Sequence, residues 1–261
     1  MDIASNGFIA GGAQDNGTQV VTFGSFGEIT PLGSVEIQGG DGFDVAFSNI
    51  GGVAYATSQN GSLARYVGNS GEVFYDSTLI NLVRDVGQPF HTVIENWENP
   101  NDINSLDSVS LIFNSAGTII KPTTYNAAGD SVLIPGDTVY AGETIPAGDT
   151  IYYFSLTNGI ELTYVVPSDI VLGTPADTLK LIDPVHNKFV TRTTNGIYLT
   201  KDAARLTIGF SEFFKIAPFT NIENFEFSPD GDKLFMGSAN GRIYRVNGLN
   251  SVVTNRNGRT S

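Results

Sequence analysis

Apolar positions along this chain come in short bursts. Runs rich in Val, Ile, Phe, Tyr and Thr are broken roughly every 8 to 12 residues by Gly, Asn, Asp or Pro, the spacing of an all-β chain. Helical periodicity is confined to "STLINLVRDVG" (77–87), the one stretch that predicts a short helix.

One pattern recurs. "FSNIGGVAYATSQNGSLARY" (47–66), "IDPVHNKFVTRTTNGIYLT" (182–200) and "FSPDGDKLFMGSANGRIYR" (227–245) superimpose on their Asn-Gly without a gap. In each, a Ser or Asp stands twelve residues before the Asn: Ser48, Asp183 and Ser228. An apolar strand lies between, and a second follows the Gly. Asn-Gly is a strong two-residue hairpin signal, because both central positions of a type I′ turn need positive φ. Each unit therefore reads as strand, bend, strand, turn, strand.

Weaker copies turn at Ala116-Gly117 and Asn158-Gly159, and "GFIAGGAQDNGTQVV" (7–21) opens the chain with a sixth hairpin. The turn glycines, 17, 61, 117, 159, 196 and 241, recur on average about every 45 residues, the length of a four-stranded propeller blade. A β-sandwich would also show short strands and turns, but has no reason to repeat one ungapped motif. The expectation is a single all-β β-propeller over residues 1–261, with five to six blades in a ring that need not be complete. Residues 123–150, with their own Gly-Asp punctuation, are expected to be an insertion within a blade.

Composition narrows the chemistry. The 27 acidic residues against 14 basic ones give a net charge of −13, which disfavours nucleic acid and anionic lipid as partners. There are no cysteines and two histidines, His91 and His186. Disulfides and thiolate ligands are excluded, and a Ser–His–Asp triad or His-rich metal site has almost nothing to draw on. No apolar run is long enough for a transmembrane helix, and "MDIASNGFIAGG" lacks the regions of a signal peptide.

The phrase "GGAQDNGTQ" (11–19) resembles the G-G-x-Q-D-N-G-T element of the Asp-box (BNR) propellers. That group contains sortilin-type ectodomains, xyloglucanase-type glycosidases, sialidases and photosystem-assembly-factor-like propellers. "GGDGFDVAFSN" (39–49) and "GVAYATSQNGSLAR" (52–65) look like another blade, and "DPVHNKFVTRTTNGIYLTKDA" (183–203) is similar to large secreted propellers of Gram-negative surface proteins. The resemblance covers most of the chain except 123–150. It implies a secreted or cell-surface location, a turn-tying role for Asp15, Asn60, Asn195 and Asn240, and a chain that is part of a longer parent. Only Asp15 keeps the acid, and Val20 replaces the aromatic that ends a full box.

Three kinds of chemistry are open. Glycoside hydrolysis needs two carboxylates about 5 to 9.5 Å apart. Asp41, Asp44, Glu95 and Glu98, with Trp97 as a sugar platform, form the candidate constellation; turn-making acids and a packing Trp are the plainer reading. Calcium would suit "SPDGD" (228–232) and "GGDGFD" (39–44), which are also ordinary Asp-Gly turns, and no other metal or cofactor is expected. A sialidase triad of arginines is disfavoured, since Arg65 and Arg245 take equivalent places on different blades. Asp-(Ser/Thr)-aliphatic triplets, as at 107–109 and 149–151, are similar to an O-glycosylation signal of exported bacterial proteins and also suit turn caps. The leading expectation is a non-catalytic module that binds a protein or glycan through its loops. A carbohydrate-active enzyme and an assembly-factor-like propeller docked on a membrane complex are the alternatives.

Overall fold

The computed structural model describes residues 1–5, 7–21, 34–67, 70–74, 79, 89–103, 105–114, 124–125, 131–132, 141–206 and 211–251. Two compact units emerge, one from Met1–Glu98, Asn187–Ala204 and Ile208–Val252, the other built on Asn99–His186.

The first unit is a set of antiparallel meanders. Strands β1 (Asp2–Ile3), β2 (Ile9–Ala13), β3 (Gly17–Val21) and β4 (Ser34–Gln38) form sheet I in chain order. Strands β5 (Gly42–Ser48), β6 (Val53–Ser58), β7 (Ser62–Val67) and β8 (Ser70–Val73) form sheet II in the same way. Strand β9 (Ile94–Asn99) begins sheet III, but its partner comes only much later in the chain.

The intervening residues make the second unit. It contains β10 (Ser108–Asn114), β11 (Thr124–Tyr125), β12 (Ser131–Val132), β13 (Thr144–Ile145), β14 (Thr150–Phe154), β15 (Glu161–Val165), β16 (Ile170–Val171) and β17 (Ala176–Ile182). The pairs β14–β15, β13–β16 and β10–β17 are nested two-stranded ladders. Alternation turns Val109, Leu111 and Phe113 inward, where they pack with Ile145, Tyr153, Leu156, Val166, Leu172 and Leu181.

The chain then returns as β18 (His186–Thr193), which pairs with β9 on one side and β19 (Gly196–Thr200) on the other, with β20 (Phe214–Ala217) at the edge of sheet III. Strands β21 (Ile222–Phe227), β22 (Lys233–Ser238) and β23 (Ile243–Asn247) complete sheet IV, again in chain order.

Each sheet packs on the next. Ala10, Val20 and Val45 join I to II, Tyr55 and Phe189 with ring centroids 4.6 Å apart join II to III, and Val190, Ile197 and Leu199 meet Ile222, Phe225, Leu234 and Met236 between III and IV. Sheet III is thus covered on both faces, and every residue of β18 and β19 is buried. The chain is all-β with several four-stranded antiparallel meanders, compatible with a propeller-like fold. Among the described residues the sheets number three of four strands and one of three in this unit, and no C-terminal strand joins sheet I. The two weaker sequence copies fall instead on the second unit: β10 pairs with β17, and Asn158-Gly159 closes β14–β15. The Ala116-Gly117 turn, nearly all of 77–87 and most of 123–140 lie outside the described residues.

The Asn-Gly motifs do close hairpins, but not as type I′ pairs: at Asn195-Gly196 the turn is Thr194-Asn195, since Thr193 pairs with Gly196, and two others use three residues. Gln59–Gly61 separate β6 from β7, with Asn60 at φ 61° and Gly61 at φ 74°. Gln14, Asp15 and Asn16 separate β2 from β3, with Asp15 at φ 63°. Three residues allow a helical turn followed by a left-handed one, which also suits the strand twist.

The seam between sheets I and II depends on glycine. A Cβ on Gly42 would lie 2.2 Å from the Gly17 carbonyl oxygen, a backbone atom that cannot move aside. Gly52 has positive φ (64°) but open space around it. Gly42→Ala is therefore expected to destabilise the chain by at least ~2 kcal/mol, and Gly52→Ala by only about 1 kcal/mol. Chemical denaturation of both variants checks the order.

Candidate functional site

The first strands of the four sheets each carry an acid: Asp2 on β1, Asp44 on β5, Glu95 on β9 and Glu226 on β21. A polar cavity of about 360 Å³ lies where three of these strands meet, its walls including Asp2, Phe47, Asn49, Glu95, Asn96 and Glu98.

Most of these carboxylates are committed to main-chain amides. Asp2 Oδ2 accepts the Phe47 N–H at 2.7 Å. Asp44 Oδ2 accepts the Ile94 N–H at 3.2 Å, while its Oδ1 lies 3.3 Å from His91 Nε2. Glu98 Oε2 accepts the N–H groups of Asn49 and Ile50, at 2.9 and 3.3 Å. Asn187 Nδ2 donates to Asn96 Oδ1 at 2.7 Å and to Glu98 Oε1 at 3.3 Å, and Asn96 Nδ2 donates to the Phe47 carbonyl at 2.9 Å. These bonds tie the bend of sheet II to the first strand of sheet III. Asp41 has a similar task between sheets I and II: its Oδ1 accepts the Asp15 N–H at 2.8 Å.

Glu95 differs. Burial pushes its carboxyl up to about 7; the Asn96 amide at 3.1 Å opposes this, and the charges of Glu226, Asp2 and Asp44 add to it. At neutral pH it is partly a neutral acid beside carboxylates, the difference in state that acid–base chemistry uses.

Trp97 does not join it as a platform. Consecutive strand residues leave on opposite faces, so Glu98 reaches sheet II while Trp97 packs with sheet IV. The Trp97 Nε1–H donates to the Pro229 carbonyl at 3.2 Å, Lys188 Nζ sits 4.1 Å from its ring centroid, and the Gly231 backbone lies against the indole. Of the expected constellation, Asp44, Glu95 and Glu98 come to one neighbourhood, whereas Asp41 and Trp97 serve the seams on either side.

The turn residues divide as well. Asn240 Oδ1 accepts the Arg242 N–H at 3.3 Å, an Asx turn, but Asn195 Oδ1 takes Lys215 Nζ at 3.1 Å. Asp15 and Asn60 contribute through their left-handed backbone. The stronger clamps are the residues twelve positions earlier. Ser48 Oγ accepts the Gly51 N–H at 2.9 Å, Ser228 Oγ accepts the Lys233 N–H at 2.9 Å, and Asp183 accepts the N–H groups of Leu156 and Val185 at 2.8 and 3.1 Å. The alignment displayed that position, and only burial identifies its role.

Arg65 and Arg192 are bound at separate places. Arg65 binds Glu72 and the Ala203 carbonyl, and Arg192 binds the carbonyls of Ile222 and His91. Among the described residues no three His, Asp or Glu side chains are grouped to hold a metal ion. In "SPDGD", Asp230 Oδ1 takes the Ser228 hydroxyl and the Asp232 N–H, which hold its carboxyl below the usual range. No described helix is long and apolar enough to cross a membrane.

One arrangement escaped sequence reasoning altogether. In the second unit Ser105 Oγ lies 2.7 Å from His186 Nε2, and Asp102 Oδ2 lies 3.1 Å from His186 Nδ1. Compared with known proteins, the sequence matches no family model and has no significant match to a curated protein.

The Glu95 shift has a stability consequence. Its folded value exceeds the ordinary carboxylate value, so the native state binds the extra proton between about pH 4.5 and 7 and loses stability as pH rises through that window. Glu95→Gln keeps a neutral side chain at every pH. It is expected to raise stability by on the order of 2 kcal/mol at pH 8 and to change little at pH 4. Urea titrations at the two pH values check this.

Proposed function

We propose that this chain is an exported, cell-surface module of the propeller type that binds a protein or glycan without transforming it. The observation that carries the reading is the repeated meander: sheets I to IV each run in chain order and stack in that order, as propeller blades do. An excess of acid over base supports exposure to solvent outside a cell, and the Asp-box-like phrase at 11–19 supports the same class.

The second unit supports a recognition role. Its β14–β15 ladder pairs Tyr152 with Thr163 and Thr150 with Val165, and all four side chains are exposed on one face. An exposed aromatic among hydroxyls and a branched aliphatic is suited to the apolar face of a sugar ring or to a protein partner. The whole chain, labelled and applied to an array of oligosaccharides and of extracellular proteins, is expected to be retained by one of them. Tyr152→Ala is expected to weaken that retention at least tenfold without altering the fold. Absence of retention on every probe would count against the reading.

Glycoside hydrolysis stays as a second reading on one observation, the near-neutral acid Glu95 in a polar cavity that Asp2 and Glu98 also line. Release of reducing sugar from an oligosaccharide panel, abolished by Glu95→Gln, is the outcome that would favour it.

A further inference from the structure

We propose that Ser105 is an activated nucleophile of the second unit, with His186 as its general base and Asp102 as the group that orients the imidazole. The inference is independent of the binding role proposed above and concerns a different set of residues.

The contacts accommodate the proton positions that this role needs. Ser105 Oγ accepts the Asp107 N–H at 3.1 Å, so its own hydroxyl hydrogen is directed elsewhere, and His186 Nε2 is 2.7 Å away. A hydroxyl that donates to Nε2 requires the tautomer with hydrogen on Nδ1. That nitrogen lies 3.1 Å from Asp102 Oδ2, within ion-pair range but without the alignment of a hydrogen bond, so Asp102 acts on the imidazole through its charge. The other carboxylate nearby, Asp107 Oδ2, is 3.5 Å from Nε2, at the outer limit of a hydrogen bond, so the serine holds the better geometry. Serine to Nε2 and acid to Nδ1 is the order in which a histidine withdraws a serine proton. The Asp107 charge then favours the imidazolium formed on the Nε2 side.

Burial grades along the line. Asp102 is partly exposed, His186 is 3% exposed and Ser105 8%, and the exposed apolar residues Ile103 and Leu106 flank the serine along the chain. A base shielded from water and a hydroxyl just below the surface are what nucleophilic attack requires. The neighbouring aliphatics suit a short acyl ester as the class of substrate. Ser105 Oγ bonds to the acyl carbon as its proton passes to Nε2; the C–O bond to the departing alcohol breaks, and that alcohol takes the proton from Nε2. The product is an acyl-serine.

The test uses the full chain and an alkyl fluorophosphonate. Oγ forms the P–O bond, fluoride leaves, and the proton goes to His186. Intact mass followed by peptide mapping is expected to show one adduct, on Ser105. It should be absent in Ser105→Ala and formed at least tenfold more slowly in His186→Gln and Asp102→Asn variants whose far-ultraviolet circular dichroism matches the parent. No adduct on Ser105 of the unaltered chain would overturn the proposal, whatever the variants do. So would labelling of Ser105 no faster than that of other serines, which would leave the trio as a structural clasp.

Discussion

The two inner strands of sheet III, β18 and β19, have no face toward water, and that constraint governs the structure around them. A strand buried on both faces is ordinarily apolar throughout, yet β18 carries His186, Asn187, Lys188, Thr191, Arg192 and Thr193. Each such group must find a partner inside the protein or cost on the order of 1–3 kcal/mol. Asn187 meets that demand by reaching Asn96 and Glu98, Lys188 by reaching Asn250 and the face of Trp97, and Arg192 by reaching main-chain carbonyls of Ile222 and His91. The polar content of the strand is therefore also its set of connections to sheets II and IV.

The same strand explains why a long excursion is tolerated between β9 and β18. Closing a loop costs only slowly more as it lengthens, provided its ends are fixed. Here they are. The Asp102 N–H donates to the Pro184 carbonyl at 2.8 Å, the Asp183 N–H donates to the Asp107 carbonyl at 2.9 Å, and Ser105 meets His186 between those two bonds. The nested ladders β10–β17, β13–β16 and β14–β15 follow within the same unit around a separate apolar core.

Local features were legible in the sequence. Hairpins at Asn60, Asn195 and Asn240 follow from residues that accept tight turns, and strand class follows from alternation. What adjacency cannot encode was missed. Nothing near Ser108–Asn114 announces that its partner is Ala176–Ile182, because a strand pattern carries no address. The expected site failed in part for a related reason. Glu95, Trp97 and Glu98 are close in sequence, but a period of two sends the last two to different sheets, while Asp2 and Glu226, remote in the chain, act on Glu95. The lone pair of histidines gave no hint that His186 would stand between Asp102 and Ser105, since the two ends of that segment are about eighty residues apart in the chain.

An acidic chain has to place its carboxylates somewhere, and the seams show a physical preference. Where one sheet's bend meets the next sheet's first strand, main-chain N–H groups are left without a ladder partner, and a carboxylate can satisfy two of them at once, as Glu98 does for Asn49 and Ile50. Asp2, Asp41 and Asp44 follow the same rule with one cross-sheet amide each. Glu95 stands inside this set with only the Asn96 amide beside it in the chain and with three like charges near, so burial decides its state. The seam acids lose their task if neutralised, whereas Glu95 is the one whose neutral form the fold favours. Structural and chemical roles among otherwise similar acids are thus separated by a single question: whether the carboxylate faces an unpaired amide of the neighbouring sheet.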